Sequence, residues 1–180
     1  MGVLNDLSDY KKLIATRASR NSTEILANAG PDHAVIAMGY LFEHTNFFVK
    51  MVVGSLDEIV CDDDFYNSQL KACLDRGVTF EIIYLNNLNT KSIAYKTLMK
   101  HSGQVRIVKG TDKFIEQLSK SGKQQHFSIH DGDKFRFEKD TEKYLAWFSF
   151  NNPYYNQELT QVFDSEINRH KTDLKHAAVA

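Results

Sequence analysis

The sequence predicts an α/β fold, a mixed and mainly parallel sheet sandwiched by helices, preceded by a helical N-terminal extension. Three observations carry this expectation. Between Phe47 and Ser119, short β-branched or aromatic runs alternate with amphipathic runs bounded by Gly, Asp or Thr, the rhythm of strand–helix units in a parallel sheet. After Gln124 the rhythm changes to three successive strand-like runs separated by turn residues. From Pro153 a last amphipathic segment reads as a closing helix.

Taken in order, Leu4, Leu7, Tyr10, Leu13 and Ile14 recur at helical spacing, and Ser22 or Thr23 is positioned to cap Glu24 to Ala27 before Asn28–Gly30 stops the helix. Pro31 suits the first turn of another helix, whose apolar face is Val35, Ile36, Met38, Leu41 and Phe42. The run from Phe47 to Val53 reads as a buried strand closed by Gly54. Asp62 to Asp64 offer caps for a helix with Phe65, Leu70, Cys73 and Leu74 on its buried stripe, stopped by Gly77. A strand over Val78–Leu85, a helix over Thr90–His101, a strand over Gln104–Lys109 and a helix over Thr111–Ser119 follow. Strands are then expected at Gln125–His130, Lys134–Glu138 and Tyr144–Phe150, with Asp131-Gly132-Asp133 as a tight turn. The closing helix buries Leu159, Val162, Phe163 and Ile167, and the tail from His170 is expected to fray. The domain organisation that results is residues 1–46 as the extension, 47–169 as the α/β domain and 170–180 as a tail.

At 180 residues, with 42% hydrophobic, 12% aromatic and 25% charged residues, the chain has the composition of a soluble globular domain able to bury roughly 70% of its unfolded surface. A net charge of −1 argues against nonspecific nucleic-acid binding driven by global charge, and leaves nucleic acid an open question. The charge is unevenly placed: Lys91–Lys123 holds eight basic and two acidic residues, and Ser55–Asp64 holds five acids and no base. Two cysteines, Cys61 and Cys73, make neither a disulfide framework nor a metal-ligand spacing, so a reducing cytoplasm is expected. No apolar stretch approaches the length of a membrane span, the first residues lack a leader pattern, and no membrane insertion is expected. No Walker loop or GxGxxG is present, and no cofactor or metal is expected.

One pair of segments carries chemistry. Gln124-Gln125-His126-Phe127-Ser128-Ile129-His130-Asp131 followed by Phe148-Ser149-Phe150-Asn151 resembles the phospholipase D-like active-site pattern HxKxxxxD and GSxN with its principal nucleophile replaced. Gln124 stands at the motif His, His126 at the motif Lys, Asp131 at the motif Asp, and Ser149 and Asn151 match SxN, with Phe148 where Gly is expected. Leu74-Asp75-Arg76-Gly77-Val78 and the Asn156–Asp164 segment extend the likeness, which covers roughly residues 47–167. In that family the His attacks phosphorus, Lys and Asn hold phosphate oxygens, and single-domain members pair so that two motifs meet on a dyad. The resemblance therefore implies a degenerate HKD site in a homodimer. Gln124 is no nucleophile, and His126 is a titrating substitute for Lys. A second register puts His126 at the motif His, Ser128 at Lys and Asp133 at Asp, keeping the nucleophile and losing the phosphate clamp.

Strand parity constrains both registers. His126, Ser128 and His130 share one face of a strand, with Phe127 and Ile129 on the other. The two histidines stand roughly 13 Å apart along it, too far for joint metal binding. Across the turn Arg136 and Glu138 share a face, so a polar surface of His126, Ser128, His130, Arg136 and Glu138 is expected on the paired strands. Asp62 to Asp64 read as helix caps and not as a metal site. Trp147, Tyr154 and Tyr155 read as core aromatics. Ser149 lacks a GxSxG elbow, and Cys73 reads as a buried hydrophobe.

Three functions follow as expectations. The first is a catalytically degenerate module that binds a phosphate-bearing or nucleotide ligand, or a protein partner, as a homodimer, with His126, Gln124, Ser149, Asn151 and Arg136 holding the anion. The second is a metal-independent phosphodiesterase or nuclease with His126 as nucleophile and a dimer-related His as acid, His126 and Asp131 being the catalytic candidates. The third is an interaction domain that meets a partner through its N-terminal helices, in bacterial regulation or phage defence.

Overall fold

A computed structural model describes residues 6–119 and 122–177, with side chains to His170. In chain order the elements are α1 (Leu7–Ser19), β1 (Leu26–Asn28), α2 (Pro31–Glu43), β2 (Phe48–Val53), α3 (Glu58–Cys61), α4 (Asp64–Asp75), β3 (Thr79–Tyr84), α5 (Ile93–Lys100), β4 (Val105–Lys109), α6 (Asp112–Leu118), β5 (His126–His130), β6 (Lys134–Asp140), β7 (Leu145–Ser149) and α7 (Pro153–Ala177). The strands form one sheet in the order β1-β7-β6-β5-β2-β3-β4.

The sheet is mixed, as expected, but its parallel share is smaller than the sequence suggested. Only β2–β3 and β3–β4 pair in parallel, joined through helices, whereas β2–β5, β5–β6, β6–β7 and β1–β7 are antiparallel. The three-residue and four-residue turns that join β5 to β6 and β6 to β7 suffice for antiparallel neighbours, so the strand-rich second half of the chain adds only antiparallel ladders.

Helices cover both faces. On one face α1, α2, α4 and α5 bury Ile14, Leu41, Phe42, Leu70, Leu74 and Leu98 against Val49, Phe80, Ile82 and Phe148. On the other, α6 and α7 bury Phe114, Phe163 and Ile167 against Val52, Ile83, Phe127 and Ile129. The alternating burial of β5 follows: Phe127 and Ile129 enter the second core, and His126, Ser128 and His130 turn to the first.

Three elements differ from expectation. Leu26–Asn28 is a strand against β7 and not the end of a helix, because Leu26 and Asn28 are buried on one side while Ala27 is exposed, a period of two. The short helix α3, capped by Asp57, was not expected from the acidic segment. Helix α7 continues to Ala177, past the point where fraying was expected; residues 1–5, including Leu4, and 178–180 lie outside the described residues. The aromatics Trp147, Tyr154 and Tyr155 are exposed and are not core: α7 packs on β5, β2 and β6 and leaves Trp147 of β7 open, and Tyr154 and Tyr155 stand in the exposed first turn of α7. No helix among the described residues is long and apolar enough to cross a membrane.

Candidate functional site

Strand β5 is the backbone of the site. Its register on β6 sets His126 opposite Glu138, Ser128 opposite Arg136 and His130 opposite Lys134. The polar surface expected from parity is therefore assembled, and the helices of the first core lie over it. Ser128, His130, Arg136 and Glu138 are buried, and only the His126 end opens to solvent, through a cleft of about 250 Å³. The cleft lies beyond the carboxyl ends of β2 and β3, where open α/β sheets place their ligands. Gly54 follows β2 there, Asn86 follows β3, and Gln124 precedes β5.

A continuous chain of polar contacts crosses the cleft. Asn28 Nδ2 donates to the Tyr144 carbonyl (2.5 Å) and Asn28 Oδ1 accepts from Arg136 Nε (3.1 Å). Arg136 Nη2 donates to Glu138 Oε1 (2.7 Å), and Glu138 Oε2 stands 3.3 Å from His126 Nδ1. His126 Nε2 is 3.1 Å from Gln124 Oε1, and Gln124 and Asn86 exchange two amide hydrogen bonds of 3.0 and 3.2 Å. Burial pushes the Glu138 carboxyl up, but the hydrogen bond from His126 and the charge and hydrogen bond of Arg136 outweigh it, holding the group below the ordinary carboxylate range. Glu138 is thus an anion clamped between two partners. Gly54 makes room for the histidine, because a Cβ there would lie 2.9 Å from His126 Cε1 and 3.3 Å from Asn86 Nδ2.

The cleft's other wall is apolar or neutral. Met38, Met51, Val60, Cys61, Tyr66 and Tyr144 line it. Burial, with Asp57 adding to it, pushes the Cys61 thiol up to about 12, so it is no nucleophile near neutrality.

The remaining residues of the motif stand elsewhere. His130, fully buried, lies 3.0 Å from Thr45 Oγ1 and 3.0 Å from Ser128 Oγ. Thr45 Oγ1 already donates to the Leu41 carbonyl, so His130 Nδ1–H donates to Thr45 and Nε2 is left to accept. Desolvation pushes the His130 pKa down to about 3, with Asp131 opposing and Lys134 assisting. Asp131, at φ 53° in the turn after β5, accepts from the backbone N–H groups of Asn46, Phe47 and Phe48 (3.1, 2.9 and 3.2 Å). Its carboxylate ties the entry of β2 to the turn and does not reach His126. Asp133, the alternative motif Asp, holds Lys134 at 2.7 Å at the same turn. Ser149 sits opposite Phe135, three residues along β6 from Glu138; its Oγ donates to the Ser22 carbonyl and accepts from Asn151 N. Ser149 and Asn151 are therefore not gathered with His126 and Gln124.

Sequence reasoning missed Asn28, Gly54, Asn86 and Asp57. Gly54 and Asn86 were findable, since each directly follows a predicted parallel strand where ligands gather. Asn28 was hidden by the helix expected over that segment. Asp62 and Asp63 act as caps, Asp62 accepting from Ile93 N and Asp63 from Phe65 N and Tyr66 N. Among the described residues no cluster of three His, Cys, Asp or Glu side chains is arranged to hold a metal.

No protein-family model matches the chain, and no curated protein is similar to it in sequence. Solved structures are similar to it. TrmBL2, an archaeal chromatin protein with a novel mode of DNA binding, matches with a TM-score of 0.56 and 13% identity over 90% of this chain, which spans 60% of that one. Nuc from Salmonella typhimurium, a phospholipase D family member, matches with a TM-score of 0.55 and 14% identity over 81% of this chain and 95% of its own. Identities this low speak to architecture, and with the strand order and the cleft beyond β2 and β3 they establish that the chain has the phospholipase D-like fold.

Proposed function

We propose that the chain is a phospholipase D-like binding module without phosphoryl-transfer activity, that the cleft around His126 is its ligand site, and that it works as a homodimer. One observation carries the loss of activity. His126, the residue at the family's Lys position, is held on both ring nitrogens, by Glu138 and by Gln124, and Gln124 stands where the nucleophile would be. The other cation of the cleft, Arg136, is neutralised by Glu138. Among the described residues that line the cleft, neither a free nucleophile nor a free phosphate clamp faces the opening.

Hydrolysis of bis(p-nitrophenyl) phosphate tests this. The expected rate equals that of His126→Ala within error. A rate that the substitution abolishes establishes instead the phosphodiesterase reading, for which the Nδ1–carboxylate contact with Glu138 speaks, since such a contact orients an imidazole in general acid–base sites. Native mass spectrometry tests the pairing, and a monomer at micromolar concentration overturns it.

Recognition of a partner through the N-terminal helices has less support. Tyr10, Ile14 and Ala18 of α1 are buried in the first core, and β1 completes the sheet. Removal of residues 1–28 is expected to abolish cooperative unfolding; retention of the fold would reopen that surface to a partner.

A further inference from the structure

The cleft's size, charge and hydrogen-bonding edge say more about its ligand than the motif does. This inference rests on the reading of the cleft as the ligand site. Its volume of about 250 Å³ falls below the roughly 300–1,000 Å³ of sites for drug-sized ligands, which leaves room for one small ring system and none for a lipid chain or an oligonucleotide.

Charge narrows the choice. Two carboxylates, Asp57 and Glu138, line the cleft with Arg136, whose Nη2 and Nε are already engaged by Glu138 and Asn28, and with His126, whose ring nitrogens are engaged by Glu138 and Gln124. Tyr66, Tyr144 and Cys61 are neutral, each pushed up by burial. A phosphate dianion entering here would exchange its hydration for a wall with two like charges and, among the described lining residues, no uncommitted cation, an unfavourable transfer in a partly buried site.

The hydrogen-bonding edge points elsewhere. Asn86 and Gln124 satisfy each other through a reciprocal pair of amide bonds, each using one donor and one acceptor, with Gln124 Oε1 also meeting His126 Nε2. Such a pair is a self-complementary stand-in for any ligand edge that offers an adjacent donor and acceptor. Asn86 is exposed, so the pair can open without disturbing the core. Met38, Met51 and Tyr66 also line the cleft and provide the polarisable apolar surface that a flat ring packs on. We propose that the cleft takes the uncharged, planar end of its ligand, a heterocycle of nucleobase type, whose donor–acceptor edge replaces the Asn86–Gln124 amide pair, and that any phosphate the ligand carries stays outside.

The side-chain amide resonances of Asn86 and Gln124 report on this directly in 1H–15N NMR spectra of the full chain. Adenosine, guanosine, cytidine, uridine and inorganic phosphate are titrated separately. Saturable shifts of both amide pairs with at least one nucleoside, weakened about tenfold in Asn86→Ala, are expected, the loss of one hydrogen-bonding partner. Inorganic phosphate is expected to leave them unmoved. Phosphate that moves these resonances, alone or in competition with a nucleoside, overturns the inference and leaves the cleft standing as an anion site. No response to nucleoside or phosphate overturns both the inference and the cleft as a ligand site.

Discussion

His126 and His130 stand four residues apart on the same strand and the same face, and their surroundings make opposite groups of them. His130 is sealed under α2, 5.7 Å from the Phe42 ring, with hydroxyls on both nitrogens and no exposure. His126 keeps 19% of its side chain exposed and has a carboxylate and an amide for partners. The difference lies in what ends above each. At the His130 end the chain from α2 turns directly into β2 and closes the layer with Thr45. At the His126 end the carboxyl termini of two parallel strands diverge into loops, and Gly54 and Asn86 leave an opening. An identical residue type on an identical face is thus a packing group at one end and a candidate binding group at the other, and the carboxylate beside each follows suit: Asp131 ties backbone, Glu138 ties side chains.

The comparison is broken most severely at the sealed end. Asp131→Ala leaves the N–H groups of Asn46, Phe47 and Phe48 without their acceptor, and is expected to lower unfolding free energy by about 3 kcal/mol, read from urea midpoints. A loss below about 1 kcal/mol would mean that the turn does not anchor β2. If Asp131 served catalysis instead, its removal would leave the midpoint in place.

Protonation is the next largest lever. The His130 pKa is about 3 in the fold against about 6.5 unfolded, so the unfolded chain binds the extra proton in between. Stability is then at its full value above about pH 6.5 and falls as pH drops towards 3, by at most about 1.4 kcal/mol per unit. His33 and His44 are also pushed down by burial and act in the same direction, and Glu138, held below its ordinary range, adds its own loss below about pH 4.5. The pH dependence of chemical denaturation between 6.5 and 4.5, measured for the wild type and for His130→Gln, isolates the contribution of His130. Equal slopes in the two proteins would contradict a neutral, sealed imidazole.

Much of this was legible in the sequence, for definite reasons. The β5 and β6 faces were predicted residue by residue because side-chain alternation on a strand is rigid, and the structure pairs His126 with Glu138 and Ser128 with Arg136 as that alternation requires. What covers a strand is not written in its own alternation. Burial of His130 depends on Thr45 and Phe42, 85 and 88 positions away, so nothing near His130 distinguished it from His126. The same limit explains Ser149 and Asn151: spacing matched the motif, but the register of β7 on β6 sets Ser149 beside Phe135 instead of beside the cleft. Leu26–Asn28 was misjudged because three residues are too short for a periodicity to declare itself, and their strand character comes from the open edge of β7.

The smallest stability effect is expected at the open end, and it separates the two histidines most clearly. His126→Ala removes one partner of Glu138 but leaves the 2.7 Å bond to Arg136 intact, and the space the ring vacates at the mouth of the cleft lets water reach the freed oxygen. The urea midpoint should shift by less than the equivalent of about 1 kcal/mol. Gly54→Ala, whose Cβ would press on the His126 ring, should displace that ring at similarly modest cost, visible as loss of its contact with Glu138 in a crystal structure of the variant. Ligand binding by either variant should nevertheless fall well beyond what the midpoint predicts, since both reshape the wall that Gln124 and Asn86 share with the histidine. A large midpoint shift with unchanged binding would reverse the comparison and make His126, like His130, a residue that holds the fold together.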